Sequence, residues 1–311
     1  MVYLDYGTWL RKRFPFKVQK LSVDAGFTCP NRDGRIGTGG CIYCNNQSFS
    51  PVYCNRQLSV REQLEEGKRF FGRKYSDMRY MAYFQSFTNT YADLDHLRRL
   101  YEEALEVDGI VGIVIGTRPD CVTPTLLDYL QQLNRHTMVT VEYGIETAND
   151  HTLRLINRGH DFSCSRRAVE QTAERGITVG GHIIIGLPGE TAEESIAQAS
   201  IMSELRLDIL KIHQMQIIKG TRLAAMYSEH PFHLYSPEEY IETVISYLEH
   251  LRPDMAVERF ASQSPKELLI APQWGLKNYE LTNLVVNKMK REGRRQGSLS
   301  TESNSSIAIS E

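Results

Sequence analysis

Three of the six cysteines lie close together, with the spacing C-x11-C-x2-C formed by Cys29, Cys41 and Cys44. Thiolates bind metals, and in a reducing compartment such a close pair is more typical of a metal site or a redox pair than of a structural disulfide. A closed zinc site needs four ligands, and Cys54 is available as the fourth sulfur. Three cysteines without a fourth are instead typical of a cubane iron–sulfur cluster that keeps one iron open for a non-protein ligand. The spacing alone leaves both metals open.

The loop that carries these cysteines contains four glycines, at positions 34, 37, 39 and 40. Glycine lets such a loop fold back with its amides turned toward negatively charged sulfur. The loop also follows the first predicted strand, and active sites of βα barrels lie at the carboxyl ends of the strands. The position therefore favours a catalytic metal centre over a purely structural one.

From Val18 onward, short β-branched runs alternate with amphipathic stretches, which is typical of βα units around a parallel sheet. Buried parallel strands read as near-continuous apolar runs, as ITVGGHIIIGL does. The pattern predicts an α/β fold, a partial (β/α)6 TIM-like barrel, with an open doubly wound sheet as the alternative. The six predicted core strands are residues 17–24, 79–86, 109–117, 138–146, 177–187 and 208–218.

Two helices carry clear start signals. Asp93 precedes LDHLRRLYEEAL as a predicted N-cap, and Thr191 with Glu194 has the spacing of a capping box after the Pro188–Gly189 break. A chain of 311 residues accommodates one catalytic domain with small extensions. We divide it into an N-terminal extension (1–17), the barrel (18–252), a C-terminal extension with a basic patch (253–295) and a tail predicted to be disordered (296–311).

The formal charge of −2 gives no overall field that argues for or against nucleic acid. The first residues, MVYLDYGTWLRKRF, place Asp5 and three basic residues where a secretory signal needs its apolar core. No apolar run is long enough to span a bilayer. We therefore expect a cytoplasmic protein without a membrane partner.

Seven stretches together resemble the radical S-adenosylmethionine (SAM) superfamily. The chain looks most like the branch related to the catalytic subunit of Elongator, in its short bacterial stand-alone form. The resemblance extends nearly to the basic run near the end. The stretches are VDAGFTCPNRDG, GGCIYCNN, YFQSFTNTYA, GTRPDCV, VEYGIETANDHTLRLINRGHD, HIIIGLPGET and LLIAPQW.

The resemblance implies a [4Fe–4S] cluster held by Cys29, Cys41 and Cys44. In that superfamily SAM chelates the open iron, and an electron from the reduced cluster cleaves SAM to methionine and a 5′-deoxyadenosyl radical, which takes a hydrogen atom from the substrate. An electron donor such as a flavodoxin or ferredoxin is therefore implied as a partner.

The resemblance also implies SAM contacts near the first two strands. Tyr43 occupies the aromatic position near the adenine, and a core tyrosine under the loop is its alternative. The turn from Ser86 to Thr90 replaces the glycine-rich turn that most members use for the SAM amino group, and makes Ser86 and Thr88 candidates. A solvated polar turn is the ordinary explanation for these residues.

Four further SAM contacts are implied on later strands. Glu146 stands where relatives often carry glutamine, and Arg158 follows at the spacing that reaches the SAM carboxylate or ribose. His182 begins HIIIGLPGET, at a position directed to the ribose. Glu142 is a candidate because a carboxylate inside an apolar strand needs a partner. For Arg158 and His182 a surface arginine and a satisfied core histidine remain the alternatives.

Three residues are candidates for contacts with the substrate. Arg118 and Asp120 follow the third predicted strand, and Gln214 lies on the sixth. They face the substrate or pair with one another, and the sequence leaves both open.

Elongator-like relatives modify the C5 position or C5 side chain of the tRNA wobble uridine, which makes tRNA the implied partner. The region after the barrel is expected to be too short for an acetyltransferase domain, so trimming or rearranging a group such as carboxymethylaminomethyl is favoured. Exposed cations bind phosphates, although such runs are also common on ordinary surfaces. The basic patch comprises Lys288, Lys290, Arg291, Arg294 and Arg295, with Lys277 after Trp274.

Two rival functions remain at this stage. One is a radical SAM enzyme that acts on a small molecule, for which the basic patch is irrelevant. The other is a zinc-stabilised RNA-binding module without redox chemistry, for which Cys54 is indispensable.

Overall fold

Seven parallel strands form the central sheet of the computed structural model, which describes residues 1–48, 51, 53–72 and 77–300. The sheet has the order β1-β2-β3-β4-β5-β6-β8, and β7 pairs with β9 in a separate antiparallel ribbon. The predicted α/β partial barrel is confirmed. The strands are β1 (Val18–Val23), β2 (Arg79–Phe84), β3 (Ile110–Thr117), β4 (Met138–Glu146), β5 (Thr178–Ile185), β6 (Ile209–Gln214), β7 (Ile217–Ile218), β8 (Ala256–Arg259) and β9 (Leu269–Ala271).

Helices follow the strands and cover the outer face of the sheet. Both predicted helix starts are confirmed, because Asp93 accepts a hydrogen bond from the His96 amide and Thr191 forms a capping box with Glu194. The helices in the described residues are α1 (Tyr6–Arg11), α2 (Val60–Phe71), α3 (Leu94–Leu105), α4 (Pro124–Leu133), α5 (Asp150–Leu155), α6 (Phe162–Ala173), α7 (Ala192–Glu204), α8 (Arg222–Glu229), α9 (Pro237–His250) and α10 (Asn278–Glu292).

The strand pattern differs from the prediction at its end. All six predicted strands are present, but the stretch 208–218 divides into β6 and β7. A seventh strand, β8, pairs in parallel with β6 although it lies past the predicted barrel boundary at 252. Its sequence is AVER, so two of its four residues are charged and the apolar run that would reveal a buried strand is missing.

Alternation along the strands separates an apolar outer layer from a polar interior. Leu21 and Val23 pack beneath the helices, whereas Lys20 on the same strand points inward. The Lys20 ammonium lies 2.5 Å from Glu258 on β8, although β1 and β8 are the two edges of the sheet. This contact requires the sheet to curl until its edges face each other.

Helix α1 closes the amino-terminal end of the curled sheet. Tyr6, Trp9 and Leu10 are buried against Ile209 and Ala256, the first residues of β6 and β8. Apolar side chains of α1 therefore close this end of the barrel.

The packed part of the chain reaches Ser300, beyond the predicted start of the tail at 296. The Gln296 amide donates to the Val2 carbonyl and its side chain donates to the Met255 carbonyl, each at 2.8 Å. Residues 301–311 lie outside the described residues. None of the helices in the described ranges combines the length and apolar character that crossing a membrane requires.

Candidate active site

A cavity of about 450 Å³ lies at the carboxyl ends of the strands. Side chains near the ends of successive strands line it, among them Ser22 on β1, Thr117 on β3, Glu146 on β4 and Gln214 on β6. This volume is within the range of small-molecule and cofactor sites. The edge of the sheet where it lies is the edge where barrel enzymes bind their substrates.

The three clustered cysteines line this cavity together. Cys41 is 7% exposed, and Cys29 and Cys44 are half-buried. Nevertheless, within the described residues no three His, Cys, Asp or Glu side chains are placed to share a single metal ion. In a cubane cluster each thiolate binds its own iron, so the sulfurs do not converge on one point. Three thiols at one cavity can supply one ligand each to three irons of such a cluster.

Cys54 is placed apart from this group. Its thiol lies 3.0 Å from the Ser22 carbonyl, and it is not among the residues that line the cavity. Burial raises the pKa of the Cys54 thiol to about 12. Among the described residues, Cys54 does not come together with the other three cysteines as a four-thiolate site.

The cysteine loop is attached to the segment that follows β4. The Ile42 amide donates to the Ile156 carbonyl at 3.0 Å, and the Asn157 side chain donates to the Gly40 carbonyl at 2.8 Å. Gly40 has a φ of +76°, and a Cβ there would lie 2.8 Å from Arg32. The backbone conformation therefore favours glycine at this position, and a Cβ would also displace the Arg32 side chain.

Positive and polar groups surround the sulfurs. Arg158 Nη1 lies 3.6 Å from the Cys41 sulfur, and the Arg32 guanidinium donates to the Cys44 carbonyl at 2.6 Å. Burial opposes the charge of Arg158, but the Cys41 thiol raises its pKa well above the usual value. Burial raises the pKa of Cys44, and Cys41 raises it further. Arg158 and Arg32 therefore place positive charge beside the sulfurs.

Buried hydrogen-bond donors without partners occur on three arginines at the cavity, Arg118, Arg158 and Arg259. Arg158 Nε and Arg118 Nη1 are buried and have no hydrogen-bond acceptor in the structure. Both residues line the cavity, and a buried unsatisfied donor is costly. Three thiols on one wall and unsatisfied guanidinium groups beside them fit a metal cluster with a bound ligand that carries oxyanions.

Most residues predicted to bind SAM are brought to this cavity. Ser86 is the exception: it is buried, but its neighbours Gln85 and Phe87 line the cavity in its place. The predicted SAM contacts that line the cavity are Tyr43, Thr88, Glu142, Glu146, Arg158 and His182.

Glu146 and Arg158 are held together at the end of β4. Glu146 has a φ of +69°, and its carboxylate lies 3.7 Å from Arg158. Arg158 also donates to the Gly144 carbonyl, where a Cβ on Gly144 would come within 2.7 Å of it. The absent side chain of Gly144 makes room for this ion pair beside the thiols.

Two of the three residues predicted to contact the substrate bind each other, and the third binds the backbone. Arg118 binds Asp120 through two hydrogen bonds of 2.9 and 2.8 Å and donates to the Arg158 carbonyl. Asp120 does not line the cavity, whereas Arg118 and Gln214 do. Gln214 exchanges two hydrogen bonds with the backbone of Ser262. Its amide is therefore engaged in holding the wall of the cavity.

A buried ionic network below the cavity was only partly anticipated from the sequence. Glu142 is 1% exposed, and its carboxylate binds Lys20 and Lys211 at 2.7 Å each and His182 at 3.0 Å. Glu258 binds both lysines as well. The available signal was the alternation of the strands, because KVQKLSV and ILKIHQ place each lysine at an inward position.

The network shifts the pKa values of the two lysines in opposite directions. Burial lowers the pKa of Lys211 to about 8, although Glu142 and Glu258 favour its charged form. Burial also acts against Lys20, but the same two carboxylates outweigh it and raise the pKa of Lys20 well above its usual value. The two carboxylates therefore outweigh the cost of burial for the Lys20 ammonium but not for the Lys211 ammonium.

The predicted basic patch is partly neutralised within the protein. Lys288 pairs with Glu242 at 2.7 Å, and Arg294 pairs with Glu242 and Glu249. Of the five cations in the run, only Lys290 and Arg295 have no carboxylate partner among the described residues. Trp274 is not available for stacking, because its ring packs 5.0 Å from that of Tyr240 and its indole donates to a backbone carbonyl.

A curled parallel sheet with a polar, thiol-lined cavity at its carboxyl edge defines an α/β-barrel enzyme. The chain belongs to the radical SAM superfamily, since the profile of that superfamily matches residues 32–198 and that of the Radical_SAM C-terminal domain matches residues 207–291. Members of this family use a [4Fe–4S] cluster and SAM and need an electron donor. The chain is therefore a radical SAM enzyme.

Two sequence relatives and one solved structure show what the chain resembles. The uncharacterized protein YtqA of Bacillus subtilis is 37% identical over 288 residues, which are 93% of this chain and 89% of that protein. The tRNA uridine(34) acetyltransferase of Methanocaldococcus infernus is 28% identical over 189 residues, which are 60% of this chain and 34% of that protein. The structure of Elp3 from the same archaeon matches with a TM-score of 0.67 and 19% identity, covering 90% of this chain and 64% of that one.

Proposed function

We propose that this enzyme modifies the C5 side chain of a tRNA wobble uridine, by trimming or rearranging a group such as carboxymethylaminomethyl. The observation that carries the proposal is the 28% identity over 189 residues to a tRNA uridine(34) acetyltransferase. The chain spans about a third of that relative, so the acetyl transfer named there is not carried over to it. A tRNA substrate and reduced thiols go with a cytoplasmic enzyme, supplied with electrons by a flavodoxin or ferredoxin.

In this proposal Cys29, Cys41 and Cys44 bind the cluster, which their common position on one wall supports. When bound, the cluster and SAM supply a carbon radical that abstracts a hydrogen atom from the substrate. The hydrogen bond of Arg158 to the Cys41 sulfur orients the thiol and lowers the negative charge around it.

The remaining cavity residues hold SAM. Arg158 binds its carboxylate, which the unsatisfied Nε donor supports. Thr88 binds its amino group, Tyr43 packs on the adenine, and Glu146 and His182 face the ribose. Glu142 remains a predicted SAM contact, since it lines the cavity, and its carboxylate oxygens also bind Lys20, Lys211 and His182.

The start of α10 is the place where a base from the tRNA enters. Asn278 lines the cavity, and its neighbour Tyr279 is 60% exposed with Lys277 over its ring at 5.9 Å. Unpaired RNA bases stack on exposed aromatic rings, and a nearby cation attracts the phosphate. Tyr279 thus takes the role for which the half-buried Trp274, packed against Tyr240, is less suited.

A radical SAM reaction on a small molecule is the second candidate. It is favoured by the neutralisation of Lys288 and Arg294 by acidic residues of α9, which weakens the basic patch as an RNA-binding surface. An enzyme of this kind leaves the tRNA of a deletion strain unchanged.

The radical chemistry is tested on protein purified without oxygen, by measuring iron, sulfide, zinc and the 5′-deoxyadenosine formed with SAM and a reductant. We expect about four irons per chain and release of 5′-deoxyadenosine. Cys41→Ala abolishes both, whereas the matched control Cys54→Ala leaves both unchanged. Stoichiometric zinc that depends on Cys54 would contradict the proposal.

The substrate is tested by mass spectrometry of tRNA nucleosides from a deletion strain. We expect one wobble uridine derivative to decrease and its precursor to accumulate. Complementation with the wild-type gene restores the profile, and complementation with Cys41→Ala does not. An unchanged profile together with active 5′-deoxyadenosine formation would leave the small-molecule enzyme as the function.

A further inference from the structure

Arg259 ends strand β8 and lines the cavity, yet none of the roles above uses it. Its Nη2 atom lies 3.2 Å from Nε2 of His213, and its Nε atom is buried without a hydrogen-bond partner. No ion pair among the described residues includes Arg259. A guanidinium carries its charge at any physiological pH, so placing it in a cavity wall without an anion is costly.

The other cations of this region have partners that account for them. They are Arg32 beside the cysteine thiols, Arg118 with Asp120, Arg158 with Glu146 and Cys41, and Lys20 and Lys211 with Glu142 and Glu258. Among the described cations in and below the cavity, the charge that lacks a negative or sulfur partner is therefore that of Arg259.

Neighbouring residues do not supply the missing anion. Glu258 points to the floor of the barrel, where its oxygens lie 2.5 Å from Lys20 and 3.3 Å from Lys211. His213 is neutral, because burial and the adjacent Arg259 lower its pKa well below the usual value. A neutral imidazole accepts a hydrogen bond from the guanidinium and adds no negative charge. His213 therefore positions Arg259 without balancing it.

We propose that Arg259 binds a carboxylate of the substrate, and so selects a substrate whose reacting part carries an acidic group. This inference rests on the proposed function in taking a uridine C5 side chain as that part. Guanidinium groups bind carboxylates through parallel hydrogen bonds, and the attraction is strong where water is excluded. A single unbalanced charge matches one carboxylate.

Binding of three probes to the reconstituted enzyme with SAM tests this by isothermal titration calorimetry. The probes are uridine, 5-carboxymethyluridine and uridine 5′-monophosphate. We expect 5-carboxymethyluridine to bind at least tenfold more tightly than uridine. Arg259→Gln should reduce that preference to less than twofold, Arg259→Lys should retain part of it, and the exposed control Arg99→Gln on α3 should leave it intact.

Three outcomes would overturn the inference. A preference for uridine 5′-monophosphate alone would make the bound group a phosphate, and no preference for either anionic probe would leave Arg259 without an anion to bind. A tenfold loss of SAM affinity in Arg259→Gln would assign Arg259 to the cofactor. Iron content and thermal midpoint report the folding of each variant, and if Arg259→Gln fails to fold, the comparison of Arg259→Lys with wild type decides.

The inference and the proposed function fail separately. Without a carboxylate preference, altered tRNA nucleosides in the deletion strain still support the tRNA substrate. With the preference but unchanged tRNA, the enzyme acts on another molecule that carries a carboxylate, and the role of Arg259 stands.

Discussion

The buried ammonium of Lys211 makes stability depend on pH in a way that one substitution isolates. Its side chain is 2% exposed, and burial lowers its pKa from the usual 10.5 to about 8. The unfolded chain therefore binds more protons than the folded protein between these two values. The free energy of unfolding is therefore highest, as far as Lys211 contributes to it, above pH 10.5. This contribution is lost as the pH falls through 8, where the buried ammonium becomes charged in the folded protein.

The magnitude follows from the two pKa values. A shift of this size corresponds to about 3 kcal/mol when fully developed, and to about 2 kcal/mol between pH 7.5 and 9.5. Other groups also titrate in this range: burial raises the pKa of Cys121 to about 12, which makes stability fall as the pH rises. The contribution of Lys211 is therefore taken from the difference in the free energy of unfolding between wild type and Lys211→Met, in which the contributions of the other groups cancel.

The assay is urea unfolding of the cluster-free protein under reducing conditions at pH 7.5, 8.5 and 9.5. We expect the stability of wild type relative to Lys211→Met to increase by about 2 kcal/mol from pH 7.5 to 9.5. The exposed control Lys290→Met should give a difference that does not change with pH. A flat or falling difference for Lys211→Met would refute the claim that the barrel interior disfavours this ammonium.

Three further predictions concern the network, the cysteine loop and the surface. Glu142→Gln leaves two buried lysines undercompensated and should lower the free energy of unfolding by about 3–5 kcal/mol in urea melts; a loss below about 1 kcal/mol would contradict the network. Gly40→Ala strains a residue with positive φ and meets Arg32, so iron incorporation should fall while the far-UV circular dichroism persists; full incorporation would contradict this. Arg61→Ala removes an ion pair with Glu106 between side chains that are 47% and 70% exposed, and should lower the free energy of unfolding by less than about 1 kcal/mol, with a loss that decreases as salt is added; a larger, salt-insensitive loss would contradict this.

Most of the architecture could be predicted from local sequence patterns. The six apolar runs became six strands of one sheet, and the caps at Asp93 and Thr191 begin helices where expected. These signals depend on a few neighbouring residues, so they can be interpreted without knowing the fold. Strand β8 was missed because its four residues are short and half charged, and it is a strand only because the edge of β6 is there to pair with it.

Surface function was less readable from the sequence. A run of five cations near the end suggests a phosphate-binding patch, but α9 brings Glu242 and Glu249 against Lys288 and Arg294. The acidic partners lie about 45 residues earlier in the chain, so no window around the cations contains them. Trp274 likewise proved to be a packing residue, because Tyr240 covers its ring.

The sequence by itself determined the parallel barrel, the three-cysteine motif and the glycine that its loop requires, since each depends on nearest neighbours or on side-chain type. Tertiary structure alone decided how charges are compensated. Curling brings Lys20 on β1, Glu142 on β4 and Glu258 on β8 within hydrogen-bond distance, and leaves Arg259 facing the cavity without an anion. The electrostatic energy of a buried charge depends on which groups lie within a few ångströms, and strands far apart in the chain set those distances.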